Sequence, residues 1–149
     1  MKIYLAGKMS GLTREEMNGW RVELTKELGM QRDMVIHKYK RAAQIECINP
    51  VDYYNYDNHI EYKAGKLEIM DFDLLMVKKS DILVVNLDYP GSIGTAIEVF
   101  EAYRHYKMPV LGFGTAANYD WVEACLTKRF DTQKEMIKYI MRFYYPIMQ

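Results

Sequence analysis

The chain has 149 residues, with 20 Lys and Arg against 20 Asp and Glu, for a formal net charge of zero. That length suits one domain over 1–149 with a sizeable core, and the zero charge gives no global attraction to nucleic-acid polymers or membranes. No apolar run approaches the roughly 20 residues of a membrane span, and the opening KIYLAG is too short for a signal-peptide core, so a cytoplasmic protein is expected.

KIYLAG (2–7) reads as a first strand ending in the glycine turn GKMSG. Thr13 with Glu16 fits a capping box, and the helix that follows is expected to stop at Gly29. Residues 30–44 carry no clear pattern, and the basic stretch RDMVIHKYKR (32–41) reads as a solvated connection. IECI (45–48) is a short second strand closed by Asn49-Pro50, and YYNYDNH (53–59) an aromatic, polar loop. Leu67, Met70, Leu74 and Val77 recur at helical spacing, which predicts a helix over 62–79.

DILVVNL (81–87) is a third strand, apolar and rich in β-branched residues. Pro90 and Gly91 break it, and a helix over 94–106 follows with Glu98 expected in its first turn. MPVLGF (108–113) is a fourth strand, and 117–126 and 132–145 close the chain as helices. Strands alternating with helices predict an α/β protein: a single flavodoxin-like or Rossmann-like sandwich with a mostly parallel sheet of four to five strands. No internal repeat is visible. Cys47 and Cys125 lack CxxC or His-rich spacing and read as free thiols.

Two glycine turns follow two strands, GKMSG after the first and PGSIG after the third, and a parallel sheet opens both at one edge. Backbone N–H groups at that edge suit an anionic or oxygen-rich ligand. Neither turn is a GxGxxG fingerprint or a Walker loop. Asp71, Asp73, Asp88 and Glu98 gather near the same edge, and two carboxylates of different pKa can run glycosidic chemistry. Helical geometry alone leaves Asp71 and Asp73 as alternatives. There is no GxSxG elbow, and His37, His59 and His105 lack metal-ligand spacing, so no metal is expected.

IYLAG, the Asn49-Pro50 exit, D-L-x-x-V-x-x-S-D over 73–81, NLDYPGSIGTAIEVFEAY and KMPVLGF together resemble the nucleoside 2-deoxyribosyltransferase family, which includes hydrolases of nucleoside 5'-monophosphates. The resemblance covers most of the chain apart from roughly 30–44 and the C-terminal helix. It implies that Glu98 is the nucleophile, forming a covalent deoxyribosyl intermediate. It also selects Asp73 over Asp71 as the acid near the base, and gives Tyr4 the role of orienting Glu98. Substrate-binding positions implied around them are Gly7, Lys8, Met9, Ser10, Asp88, Ser92 and Gly94.

The chain departs from that pattern in two places. Ser92 stands where nucleoside transferases commonly carry an Asp for the sugar hydroxyls, and Lys8 replaces the usual Pro after IYLAG. A neutral hydroxyl and a nearby cation would tilt the pocket toward a 5'-monophosphate. PGSIGTAIE is also similar to the PGGxGTxxE turn of phosphoribohydrolases, although only that motif matches.

The resemblance implies a small-molecule nucleoside or nucleotide substrate, no cofactor, and a homo-oligomer in which a neighbour completes the pocket. Asn118, Tyr144 or Tyr145 would be the contributed residue, unless they serve packing or a helix cap. Tyr53, Tyr54 and Tyr56 would stack on a base or fill an interface. Two other classes compete: a nucleotide-sensing module without turnover, and a flavodoxin-like electron carrier. Tyr4, Asp73 and Glu98 together argue against the first, because binding alone needs no carboxylate pair.

Overall fold

Residues 3–6 and 82–85 are fully buried because both faces of the strands they form are covered. The computed structural model describes residues 1–39, 43–53, 65–116 and 119–147. Its strands are β1 (Lys2–Ala6), β2 (Glu46–Ile48), β3 (Ile82–Asn86), β4 (Val110–Phe113) and β5 (Lys128–Phe130). They form one sheet in the order β2-β1-β3-β4-β5, with every pairing parallel. This is the flavodoxin-like order, and its switch point lies between β1 and β3.

Among the described residues six α-helical segments carry the crossovers and the chain's end: α1 (Arg14–Tyr39), α2 (Lys66–Lys78), α3 (Ile93–Arg104), α4 (Asp120–Glu123), α5 (Gln133–Tyr139) and α6 (Tyr145–Ile147). On one face, Leu24 and Leu28 of α1 and Met136 and Ile137 of α5 pack on Ile3, Leu5, Val84 and Leu111. On the other, Val77, Val99, Ala102 and Val122 from α2, α3 and α4 pack on Tyr4, Ala6, Leu83 and Val85. Alternation along β1 therefore sends Tyr4 to the α2–α3 face and Leu5 to the α1 face. No described helix is long and apolar enough to cross a membrane.

The helical boundaries differ from the sequence-based expectation at several points. Gly29 does not stop α1, which runs on to Tyr39. The φ of Gly29 lies outside the left-handed range that a glycine C-cap uses, and Gln31 Nε2 donates to Glu27 Oε1 across it at 2.9 Å. The stretch 32–38 is thus helix, although solvated as expected. The capping box does form: Thr13 N donates to Glu16 Oε2 at 2.8 Å and Glu16 N to Thr13 Oγ1 at 3.3 Å.

Leu67 and Met70 are exposed, so only the later part of the α2 stripe reaches the core. The helix expected over 117–126 shrinks to the single turn of α4, and β5, unassigned from sequence, follows it. The closing helix over 132–145 is regular only to Tyr139, then continues as a π-helical turn over Ile140–Tyr144.

Candidate active site

Ser92 starts α3: its Oγ accepts from Thr95 N at 3.2 Å, and Tyr119 Oη holds its backbone by accepting from Ser92 N and donating to Ser92 O. Gly91 precedes it at φ +82°, a conformation that glycine adopts without strain. With Ile93 as the first helical residue, Glu98 falls in the second turn of α3, not the first. No acid occupies that first turn, so Glu98 does not act as a dipole complement. Instead, Thr95, Glu98, Val99 and Ala102 form the helix's buried stripe, which aims Glu98 at the sheet.

Asp73 occupies the same kind of position on α2, buried one turn before Val77. Asp71 is exposed. Asp73 and Glu98 line one cavity of about 170 Å³ between α2 and α3, walled by Met70, Leu74 and Ile97 and bordered by Lys66 and Gly94. From β1 below, Tyr4 Oη donates to Glu98 Oε1 at 2.7 Å.

Burial pushes the Glu98 carboxyl up to about 8, and the charge of Asp73 adds to the rise; the Tyr4 hydrogen bond and the charge of Arg21 oppose it. Burial, with the charges of Glu98 and Asp73, holds the Tyr4 phenol well above its ordinary value, so it remains a donor. The arrangement offers one carboxyl oxygen held by Tyr4 and a second acid within a single apolar-walled cavity.

The remaining expected site residues are placed elsewhere. Asp88 is exposed and accepts from Thr115 N at 3.0 Å. It borders a larger concavity of about 730 Å³ beside Trp20 and Phe113, which contains neither Glu98 nor Asp73. Lys8, Met9 and Ser10 form the turn after β1, and none of them lines the Glu98 cavity. Gly7 is tightly packed, since a Cβ there would lie 3.0 Å from Trp20 Cζ2 and 3.2 Å from Arg21 Nη2. Ser92 sits in a separate groove with Tyr119 and Trp121.

Tyr144 and Tyr145 are both buried in this chain, and Tyr145 Oη donates to Ala43 O at 2.8 Å. Asn118, Tyr54 and Tyr56 lie outside the described residues, while Tyr53 packs edge-on against Phe72. Cys47 and Cys125 are both free; burial raises each thiol, that of Cys47 to about 11, which leaves them unreactive. No cluster of three or more His, Cys, Asp or Glu suited to a metal occurs among the described residues.

Sequence reasoning missed Arg21, which is fully buried next to this site. The signal was available. Positions 17, 21, 24 and 28 are the apolar phase of α1, and a cation stands at the second of them.

Fold and site thus define a flavodoxin-like α/β protein with a buried acid pair at the carboxyl edge of its sheet. The same fold occurs in a conserved protein of Enterococcus faecalis V583, with a TM-score of 0.71, 18% identity, and coverage of 92% of this chain and 94% of that one. It occurs too in a 2-deoxyribosyltransferase of Bacillus psychrosaccharolyticus, with a TM-score of 0.66, 19% identity, and coverage of 93% and 92%. No protein-family model and no curated protein matches the chain.

Proposed function

We propose that this chain breaks or transfers the N-glycosidic bond of 2'-deoxyribonucleosides or their 5'-monophosphates. The observation that carries the reading is the buried Tyr4–Glu98 hydrogen bond opening on a cavity shared with Asp73. The topology shared with the Bacillus psychrosaccharolyticus 2-deoxyribosyltransferase supports it.

In this reading Tyr4 fixes one Glu98 oxygen and the other attacks C1' of the sugar. The C1'–N bond breaks with its electron pair going to the base, which takes a proton from Asp73. Water or a second base then attacks C1', breaks the Glu98 ester and returns a proton to Asp73. Positive charge developing at C1' favours Glu98 as carboxylate, against the burial that otherwise keeps it protonated. Gly94 and the apolar side chains of Met70, Leu74 and Ile97 form the walls around the reacting sugar. The same reading includes a homo-oligomer, which light scattering would test.

The experiment is incubation with deoxynucleosides and deoxynucleoside monophosphates, with and without an acceptor base, following free base by chromatography. Base release by the wild type and its loss in Glu98→Ala support the reading. No release from any substrate, with stabilisation by the same ligands, would make the chain a binding module instead.

A further inference from the structure

Arg21 has no exposed surface, and it stands in the core phase of α1 between Met17, Leu24 and Leu28. A buried cation at such a position is costly unless its donors are all used, and an aliphatic residue would fill the phase more cheaply. Its donors are directed. Nε donates to Leu5 O at 3.1 Å, Nη2 to Gly7 O at 2.9 Å, and Nη1 to Met17 O, while the guanidinium lies 4.5 Å from the Trp20 ring centre.

The register of β1 explains why those carbonyls need a side chain. Lys2 O accepts from Asp81 N at the β3 side, whereas Met1 O accepts from Glu46 N at the β2 side. Carbonyls alternate along a strand, so those of residues 1, 3, 5 and 7 face β2. The donor positions opposite them step by two from Glu46, and the position that falls opposite Leu5 is Pro50, which has no N–H. The ladder therefore ends one bond early, at the edge that carries the site, and the Arg21 fork takes its place. Gly7 makes this possible: a Cβ would approach Trp20 and Arg21 to 3.0 and 3.2 Å.

We propose that Arg21 is a positioning residue for Glu98. Its fork replaces the missing ladder donors at the β1 exit and so fixes Tyr4 against the acid. The inference rests on the catalytic reading of Glu98 but is measurable without turnover. The groups around Glu98 are Tyr4 from β1, Asp73 and Lys66 from α2, and Tyr119 ahead of α4, with Arg21 acting on it only as a more distant charge. Of these, Arg21 acts in the same sense as the Tyr4 hydrogen bond, opposing the effect of burial and of Asp73.

The test is a carbon-13 carboxyl titration of Glu98 in the intact protein, assigned with Glu98→Gln, in wild type, Arg21→Met and Arg21→Lys. In parallel, kcat and KM are measured for base release. Arg21→Met is expected to move the Glu98 midpoint upward and to lower kcat at least tenfold, with KM little changed. Arg21→Lys keeps the charge without the planar fork, so its midpoint should rise less than that of Arg21→Met while kcat still falls.

An unmoved midpoint in Arg21→Met, or wild-type kcat in Arg21→Lys, would overturn the proposal. If Arg21→Met fails to fold, the Arg21→Lys comparison alone decides. A shifted midpoint in a protein that releases no base would remove the glycosidic reading and leave the link between Arg21 and Glu98 intact.

Discussion

Tyr4 and Glu98 stand 94 positions apart in the chain, and the phenol donates to the carboxyl at 2.7 Å inside the core. Strand order produces the contact. β1 lies beside β3, Tyr4 pairs in register with Leu83, and α3, which follows β3, crosses the face to which Tyr4 points. Because the phenol's pKa is raised, the pair has one defined polarity: Tyr4 gives the proton and Glu98 receives it.

Removing that donor tests the pair most directly. Tyr4→Phe keeps the ring in the core and deletes only the hydroxyl, so the fold should survive. A hydrogen bond to a charged group is worth about 1.5–3 kcal/mol. At about 1.4 kcal/mol per tenfold in rate, kcat should fall roughly 10- to 100-fold with KM little changed. A Tyr4→Phe variant with wild-type kcat would remove Tyr4 from the mechanism.

The pH dependence of kcat/KM follows from the same acid. The nucleophile must be a carboxylate, and burial holds the free-site pKa at about 8. kcat/KM is therefore expected to climb tenfold per pH unit below that value. Tyr4→Phe, which loses an interaction favouring the charged form, should move the rise to higher pH. A flat profile from pH 6 to 9 would deny Glu98 its role.

Stability carries the opposite sign. Between the unfolded value of 4.5 and about 8, the folded chain holds the Glu98 proton and the unfolded chain has released it. Stability therefore falls as pH rises across that window, and the full cost is present above it. At about 1.4 kcal/mol per pKa unit the cost is on the order of 3–5 kcal/mol. Glu98→Gln has no such loss, so thermal unfolding should find it more stable than wild type at pH 8 to 9 and nearly equal to it at pH 5. Parallel pH–Tm curves for the two proteins would contradict the buried, protonated state of Glu98.

What could be read in advance divides along physical lines. β1, β3 and β4 were legible because covered strands are continuous apolar runs, and the acid-bearing turns were legible because Gly and Pro punctuate them. β5 was not: KRF is short, charged and mostly exposed, as an edge strand tends to be, and its carbonyl and side-chain partners come from distant residues. Gly29 misled because a glycine marks a helix end only in the left-handed conformation, which sequence does not display. Asp71 and Asp73 were equivalent on a helical wheel until α3 was packed against one side of α2. Arg21 went unread because its meaning depends on a proline just past the end of another strand.

Gly7 illustrates a residue whose role changed once packing was known. Gly7→Ala forces a methyl into the space held by Trp20 and Arg21, and overpacking of this kind costs about 1–3 kcal/mol. Chemical denaturation should show that loss, accompanied by reduced kcat because the displaced group is the Arg21 fork. An alanine variant of wild-type stability and rate would return Gly7 to a simple turn residue.

Ser92 offers the test of substrate choice. Its hydroxyl caps α3, so Ser92→Ala should cost about 1 kcal/mol through the lost Thr95 N–H acceptor. Aspartate caps equally well and complements the helix dipole, so Ser92→Asp should keep the fold while adding a negative charge at the turn. If a 5'-monophosphate binds at this end of α3, that charge repels it. The ratio of kcat/KM for deoxynucleoside monophosphate over deoxynucleoside should then drop at least tenfold, a difference of about 1.4 kcal/mol. Groove placement sharpens the outcome, because Ser92 borders the Tyr119–Trp121 groove and Glu98 the α2–α3 cavity on the other side of the helix start. A substrate must span both for the charge to be felt. An unchanged ratio in a folded Ser92→Asp variant would confine the substrate to the α2–α3 side and leave Ser92 as a cap alone.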